Sequence, residues 1–213
     1  MGHATWPLYD LRLRTPQLEL RLPTEDELVA LCDVARAGVH DPGEMPFLVP
    51  WTTKPSPQFE REFMQHHWGV RAAWSPQRWT LTLAVFHQGA PAGFQDVGAD
   101  NFAVLREVVT GSWLGARYQG RGFGKQMRTA VLHLAFAELG AAAARTSAFV
   151  DNPASQAVSR TLGYEANGVS RDVRQGEPVE HLHFRLTRDR WQAHRYCEVE
   201  VEGLEACRDM FGL

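Results

Sequence analysis

The sequence has little cysteine: Cys32, Cys197 and Cys207 form an odd, widely spaced set without a CxxC pair. This excludes a disulfide framework and a zinc knuckle, and it fits a reducing cytoplasm. Long apolar runs are missing too. The most apolar stretch, Val131 to Ala144, is shorter than a bilayer span and is interrupted by His133 and Glu138, so it reads as a buried helix. The first residues hold no apolar run long enough for a secretion signal, and export is not expected. Excess positive charge is absent: the formal net charge is -3, which speaks against general affinity for nucleic acid or anionic membrane but leaves room for a local cationic site. No internal repeat or low-complexity segment occurs. His181-x-His183 places two imidazoles on one strand face, but no third ligand has a recognisable spacing, so no metal is expected. What remains is 213 residues, 44% hydrophobic and 22% charged, enough for one α/β domain or a domain plus a short appendage, whereas two full domains would be cramped.

The chain opens with strand-like alternation, Leu11 to Arg14 and Leu18 to Leu22, broken at Thr15-Pro16. Thr24 and Glu27 have capping-box spacing, and Leu28, Leu31, Cys32 and Ala35 follow one helical face to about Ala37. Gly38 to Pro57 is rich in proline and carries Phe47, Leu48, Val49 and Trp51, as an ordered loop framing a substrate would. Ser56-Pro57 suits the start of a second helix that runs toward Trp74. Trp79 to Val85, the Gln88 to Pro91 turn and a strand around Phe94 form a hairpin. Val104 to Leu114 reads as a strand, followed by a glycine-rich loop and a long helix. Strand Thr146 to Val150, helix Ala154 to Leu162 and two further strands complete a mixed α/β sheet. The alternating end, Cys197 to Glu202, suits capping a sheet edge or pairing with another subunit, a possible homo-oligomer contact.

The most informative segment is Trp113-Leu114-Gly115-Ala116-Arg117-Tyr118-Gln119-Gly120-Arg121-Gly122-Phe123-Gly124-Lys125-Gln126-Met127-Arg128. Its glycines allow a tight turn and close approach of backbone to a ligand, and the following helix turns unpaired N–H groups toward it. Arg117, Arg121, Lys125 and Arg128 add four cations with no acid among them, so the site prefers an anion. A Walker A loop fails because Gln119 and Gln126 stand where glycine and Ser or Thr are needed. A dinucleotide fingerprint fails because Lys125 occupies its third glycine position.

Gln119-x-x-Gly122-x-Gly124 at a strand-to-helix junction resembles the acyl-CoA signature of the GNAT N-acyltransferases. The second segment, Asp151-Asn152-Pro153-Ala154-Ser155 through Leu162-Gly163-Tyr164, is similar to the branch that includes the ribosomal-protein N-terminal acetyltransferases. In wording and layout, including Trp6 to Tyr9 and Val39 to Pro42, the chain looks especially like an actinobacterial branch linked with succinyl-CoA. The resemblance implies a GNAT fold, a mixed central sheet flanked by helices, with an acyltransferase domain over 1–191 and a C-terminal extension over 192–213. It also implies acetyl-CoA or succinyl-CoA as co-substrate rather than a prosthetic group. The acceptor is then an amine: a protein N-terminus, a lysine or a small amine.

Carried over residue by residue, Gln119, Gly120, Arg121, Gly122, Phe123, Gly124 and Lys125 bind the CoA pyrophosphate. Ser112, Trp113 and Leu114 line pantetheine and supply an oxyanion donor, while Asn152 and Ser155 lie beside the pantetheine arm or sulfur. Direct attack needs a neutral amine, a stabilised oxyanion and a protonated leaving thiolate. The tyrosine that many members carry seven residues after the Asn is replaced by Ser159. Ser155 is then a candidate proton donor, with helix capping as its alternative role. No general base carries over, because Ser147 and Arg174 replace the family's glutamates. Glu107, Glu180, His181 and His183 are base candidates on chemistry alone, with a water chain as the alternative. Gly111-Ser112 is not a nucleophile elbow, since Thr110 holds the required glycine position, so no covalent acyl-enzyme is expected. The missing tyrosine and base also leave open a CoA-binding module without catalysis.

Overall fold

The computed structural model describes residues 3–213. Nine strands form one sheet in the spatial order β7-β8-β6-β5-β4-β3-β2-β1-β9. The opening alternation is a hairpin: Thr15-Pro16 turns β1 (Arg12–Arg14) back on β2 (Glu19–Arg21), with Leu13 opposite Leu20. Helix α1 (Glu25–Arg36) and helix α2 (Gln58–Ala72) come next. Strands β3 (Arg78–His87) and β4 (Ala90–Asp100) are joined by Gln88 and Gly89, both at positive φ (52° and 78°). That is the turn whose twist matches a two-residue hairpin.

The expected strand from Val104 begins later. Phe102–Leu105 instead makes one helical turn, α3, anchored by fully buried Phe102, and β5 spans Glu107–Leu114. Helix α4 (Phe123–His133) continues into a π turn over Leu134–Glu138. The wider turn lets Leu134, Ala135 and Phe136 all enter the core, which explains why this stretch is apolar all round. Strand β6 (Ala143–Phe149), helix α5 (Pro153–Thr161), strands β7 (Glu165–Arg174) and β8 (Glu177–Thr187), helix α6 (Arg188–Ala193) and strand β9 (Glu200–Glu202) follow. After α6 the tail crosses the width of the sheet, so that β9 pairs antiparallel with β1 and Cys207 and Phe211 are fully buried in the core.

The two faces of the sheet carry different helices. On one, Leu28, Leu31 and Cys32 of α1 and Phe59 and Phe63 of α2 cover Ala84, Phe86 and Phe94. On the other, Met127, Ala130 and Val131 of α4 cover Leu13, Leu83, Val85 and Val97. Each fully buried Leu or Phe contributes about 2 kcal/mol.

Helix α1 is fixed at its start by a capping box. Thr24 Oγ1 accepts from the Glu27 amide at 3.3 Å, and the Glu27 carboxylate accepts from the Thr24 amide at 2.9 Å. The same carboxylate takes two hydrogen bonds from Arg21 of β2, at 2.7 and 2.6 Å, and Arg21 lies over Phe86. Arg21 first, then the Thr24 amide, hold the Glu27 carboxyl down at about 2. A depressed carboxylate stabilises the fold above its unfolded pKa and loses that contribution as pH falls toward 2. Glu27→Gln should therefore cost about 2 kcal/mol in urea unfolding at pH 7, and the gap to the native sequence should close between about pH 4.5 and 2.

Candidate active site

The site begins where two strands part. Strands β5 and β6 run parallel but pair only at Glu107–Ala143, Val108–Ala144 and Val109–Arg145. Beyond these residues β5 stays with β4 as far as Leu114, and β6 stays with β8 as far as Phe149. A wedge therefore opens between Thr110 to Leu114 and Thr146 to Phe149. The Gly115 amide donates to Ala92 at 2.9 Å, which sets the phase of the antiparallel ladder. Trp113 and Gly111 bond to β4, and the amides of Ser112 and Leu114 face the wedge. Backbone donors held this way suit a developing oxyanion. The Trp113 side chain packs on Trp51, Phe63 and Phe94, with ring centroids 5.6, 6.3 and 5.8 Å away. Ser112 points to the opposite face, beneath α4.

At the mouth of the wedge lies the glycine loop. Gly120 and Gly122 have positive φ (71° and 81°), and the amides of Gly120 through Gly124 have no acceptor among the described residues. Five such amides at the start of an eleven-residue helix form an anion-binding nest. Arg117 and Arg121 stand exposed beside it and Lys125 half-buried, Arg121 over Phe123 and Lys125 over Tyr196. The Gln119 side chain points inward and donates to the carbonyls of Val39 (2.6 Å) and Leu114 (2.8 Å). It braces the loop from behind, while the backbone of the residues after it faces outward.

Arg128 departs from the expected cationic rim. It is 4% exposed, under the wedge, and bonds Thr146 Oγ1 of β6 (3.2 Å) and Ser112 Oγ of β5 (3.3 Å). Its Nε is buried without a partner, and no carboxylate pairs with it among the described residues. Burial pushes the guanidinium below its ordinary pKa, opposed by nearby Tyr164. A buried cation without a counter-ion costs stability unless an anion joins it.

Across the mouth, Asn152 caps α5 by accepting from the Ser155 amide at 3.0 Å. Ser155 is thus the capped residue rather than the cap, and its hydroxyl makes no hydrogen bond among the described residues. Val158 of α5 lies 3.5 Å from where a Gly124 Cβ would stand, which brings α5 against the nest.

The four base candidates are spread over β5 and β8. Glu107 sits at the closed end of the wedge, paired with Arg145 (2.9 Å) and Arg185 (3.4 Å), and the structure does not bring it to the reacting centre. His183 lies opposite Ser147 on the α1/α2 face, bonded to Ser170 at 2.9 Å, and His181 is paired with Asp172 at 3.1 Å. Glu180 is exposed on the same strand. Arg174, in place of the branch's late glutamate, joins Asp151 to the Met45 carbonyl and so ties the 38–57 loop to the mouth. One carboxyl passed over in the sequence is close: Asp96 of β4 pairs with Gly111, and its Oδ1 is buried without a partner. Period-2 alternation marks Asp96 as facing away from Gln95, but only the β4–β5 register shows what lies beside it.

A parallel pair that splays above a nest of helix-start amides offers one ligand both an anion site and donors for a developing oxyanion. Residues 17–165 match the acetyltransferase (GNAT) domain family, and the chain belongs to that family. Similar solved structures include RimL, a ribosomal L7/L12 α-N-protein acetyltransferase in complex with coenzyme A. It is 19% identical with a TM-score of 0.62, over 81% of this chain and 95% of that one. Mycobacterium smegmatis RimJ in complex with CoA-disulfide is 16% identical with a TM-score of 0.64, over 88% and 95%. A GCN5-related N-acetyltransferase from Brucella melitensis is 18% identical with a TM-score of 0.68, over 86% and 81%. No helix among the described residues is long and apolar enough to cross a membrane, and no group of three or more His, Cys, Asp or Glu is placed to hold a metal.

Gly122→Ala puts a Cβ on a left-handed backbone, 3.4 Å from Tyr196 Oη. The left-handed conformation should cost about 1 kcal/mol. The nest should loosen, and titration calorimetry should show CoA binding weakened about tenfold.

Proposed function

We propose that this chain transfers the acyl group of an acyl-CoA to a primary amine by direct attack on the thioester, and that its preferred donor carries a distal carboxylate, as succinyl-CoA does. The single observation that carries the donor assignment is Arg128. Its head bonds two hydroxyls, one on each lip of the wedge, and no carboxylate of the chain pairs with it among the described residues. A buried cation without a counter-ion costs stability, and an acidic acyl tail that enters between the strands offsets that cost only when the donor is bound.

The remaining parts follow in order. The amides of Gly120 to Gly124, with Arg121 and Lys125 beside them, suit the pyrophosphate. Pantetheine then runs into the wedge along Ser112 to Leu114. The Ser112 amide is aimed at the thioester oxygen, where charge develops as the amine attacks. When the C–S bond breaks, the thiolate leaves toward the N-terminus of α5. There the Ser155 hydroxyl, without a partner among the described residues, is free to donate a proton or to orient a water. Asn152 orients this end by capping the helix. The acceptor approaches the wedge from the face of α1 and α2, where the 38–57 loop and the β7–β8 hairpin frame it. The net negative charge supports an enzyme acting on amines rather than on nucleic acid.

Arg128→Leu, which replaces the cation with an apolar side chain, tests the donor. It should lower kcat/KM with succinyl-CoA about a hundredfold while changing acetyl-CoA turnover only a few-fold. Equal losses with both donors, or native preference for acetyl-CoA, would sink the donor assignment. CoA binding by the native protein with no turnover of any amine would favour the non-catalytic CoA-binding module.

A further inference from the structure

The acyl-transfer reading leaves the proton of the acceptor ammonium without an assigned destination: Glu107 is held between Arg145 and Arg185 at the closed end of the wedge, and the His183 ring is bonded to Ser170. We propose that Asp96 is the general base: its carboxylate accepts that proton, directly or through one water, on the sheet face opposite α4. The proposal rests on the preceding reading of the site as an acyltransferase centre.

Asp96 lies directly opposite Gly111, the residue before Ser112, in a pair whose Cα atoms are about 5.5 Å apart. Its carboxyl thus lies beside the strand segment whose next amide is aimed at the thioester oxygen. Gly111 has no side chain to stand between them: a Cβ there would sit 3.9 Å from Asp96 Oδ2, with no nearer neighbour. Oδ1 is buried and has no hydrogen-bond partner among the described residues, and Thr82 of β3 lies directly across from Asp96. No Lys, Arg or His forms an ion pair with Asp96 among the described residues. An apolar residue would pack here without the cost of an unpaired polar atom, so structure alone gives no reason for a carboxyl.

The charged groups around Asp96 do not hold it ionised. On α2, His67 stacks on Phe94 at 4.2 Å and is pushed down to about 3 by burial, and burial also lowers neighbouring His66. Arg71 of α2 is paired with Glu25. Farther along the same face Arg78 is paired with Asp100, and across the wedge Arg145 is paired with Glu107. On β8, His183 is bonded to Ser170 and His181 is paired with Asp172. Burial pushes the Asp96 carboxyl up to about 7, opposed only by Thr82. A base of that strength is ionised in useful amount at neutral pH and still takes a proton readily.

In the step itself, one N–H bond of the ammonium breaks and its proton passes to Asp96. The freed nitrogen lone pair then forms the C–N bond, and the C–S electrons leave with sulfur. The second nitrogen proton ends on the thiolate through the Ser155 end of the site. The products are an amide, neutral CoA thiol and a protonated Asp96, which returns its proton to solvent.

The experiment compares two small acceptors at pH 7 with saturating acyl-CoA: methylamine, which is almost wholly protonated, and hydroxylamine, which is largely neutral. Asp96→Asn should reduce kcat/KM for methylamine about a hundredfold and leave hydroxylamine within a few-fold, with CoA binding unchanged by calorimetry. Equal losses with both amines would assign Asp96 a structural role and overturn the proposal, as would unchanged methylamine turnover. Thr82→Val gives a second readout that does not depend on the folding of the first variant. It removes the group that lowers the Asp96 pKa, so the acid limb of the native kcat/KM profile should move to higher pH; a limb that stays in place overturns the proposal. If the native enzyme acylates neither amine, the acyltransferase reading itself fails, and the base assignment falls with it.

Discussion

The whole arrangement depends on a failure of pairing. Two parallel strands that begin with shared hydrogen bonds at Glu107 to Val109 separate just where unpaired backbone would ordinarily be costly in a sheet interior. The separation is tolerated because each strand keeps a full partner on its other side. Strand β5 then turns directly into the glycine loop and α4. The same short segment therefore supplies two kinds of unpaired amide, those along the wedge and those at the helix start. They suit the two chemically different ends of one ligand, a thioester and a diphosphate.

The polar groups around the wedge divide by face. Thr110, Thr146, Arg128 and Tyr164 lie beneath it, buried against α4 with half-buried Ser112, and hydroxyls hold the guanidinium between the lips. Asp96 lies on the other face, beside a glycine and under α2. The sheet thus separates a cation from a carboxyl by its own thickness. Neither neutralises the other.

Much of this was legible in the chain because it is local. Thr24 and Glu27 announce their helix start at a spacing of three, and the glycines from Gly120 to Gly124 specify a turn by their backbone freedom alone. Asn152 and Gly163 likewise bracket α5 in the order a cap and a stop require. What was not legible is set by partners far away in sequence. Arg128 reads as a fourth cation of a basic loop, because helix α4 is apolar on nearly every side and its period does not say which side meets the wedge. Asp96 reads as a polar position in an alternating strand, and its importance depends on the β4–β5 register, which no local pattern encodes. Glu107 shows the converse. Proximity along β5 suggested reach toward the reacting centre, but the strand carries it to the closed end, between two arginines.

The tail that returns to β1 has a consequence for how the molecule assembles. Leu13 and Val201 face one another across a ladder closed by nearly the entire length of the polypeptide. That contact has the largest loop-closure entropy of any in the sheet and is expected to form after the central strands have condensed. Until then the first hairpin presents a bare edge. The late arrival of Glu200 to Glu202 both seals that edge against unwanted pairing and latches the tail across the helix that carries the glycine nest.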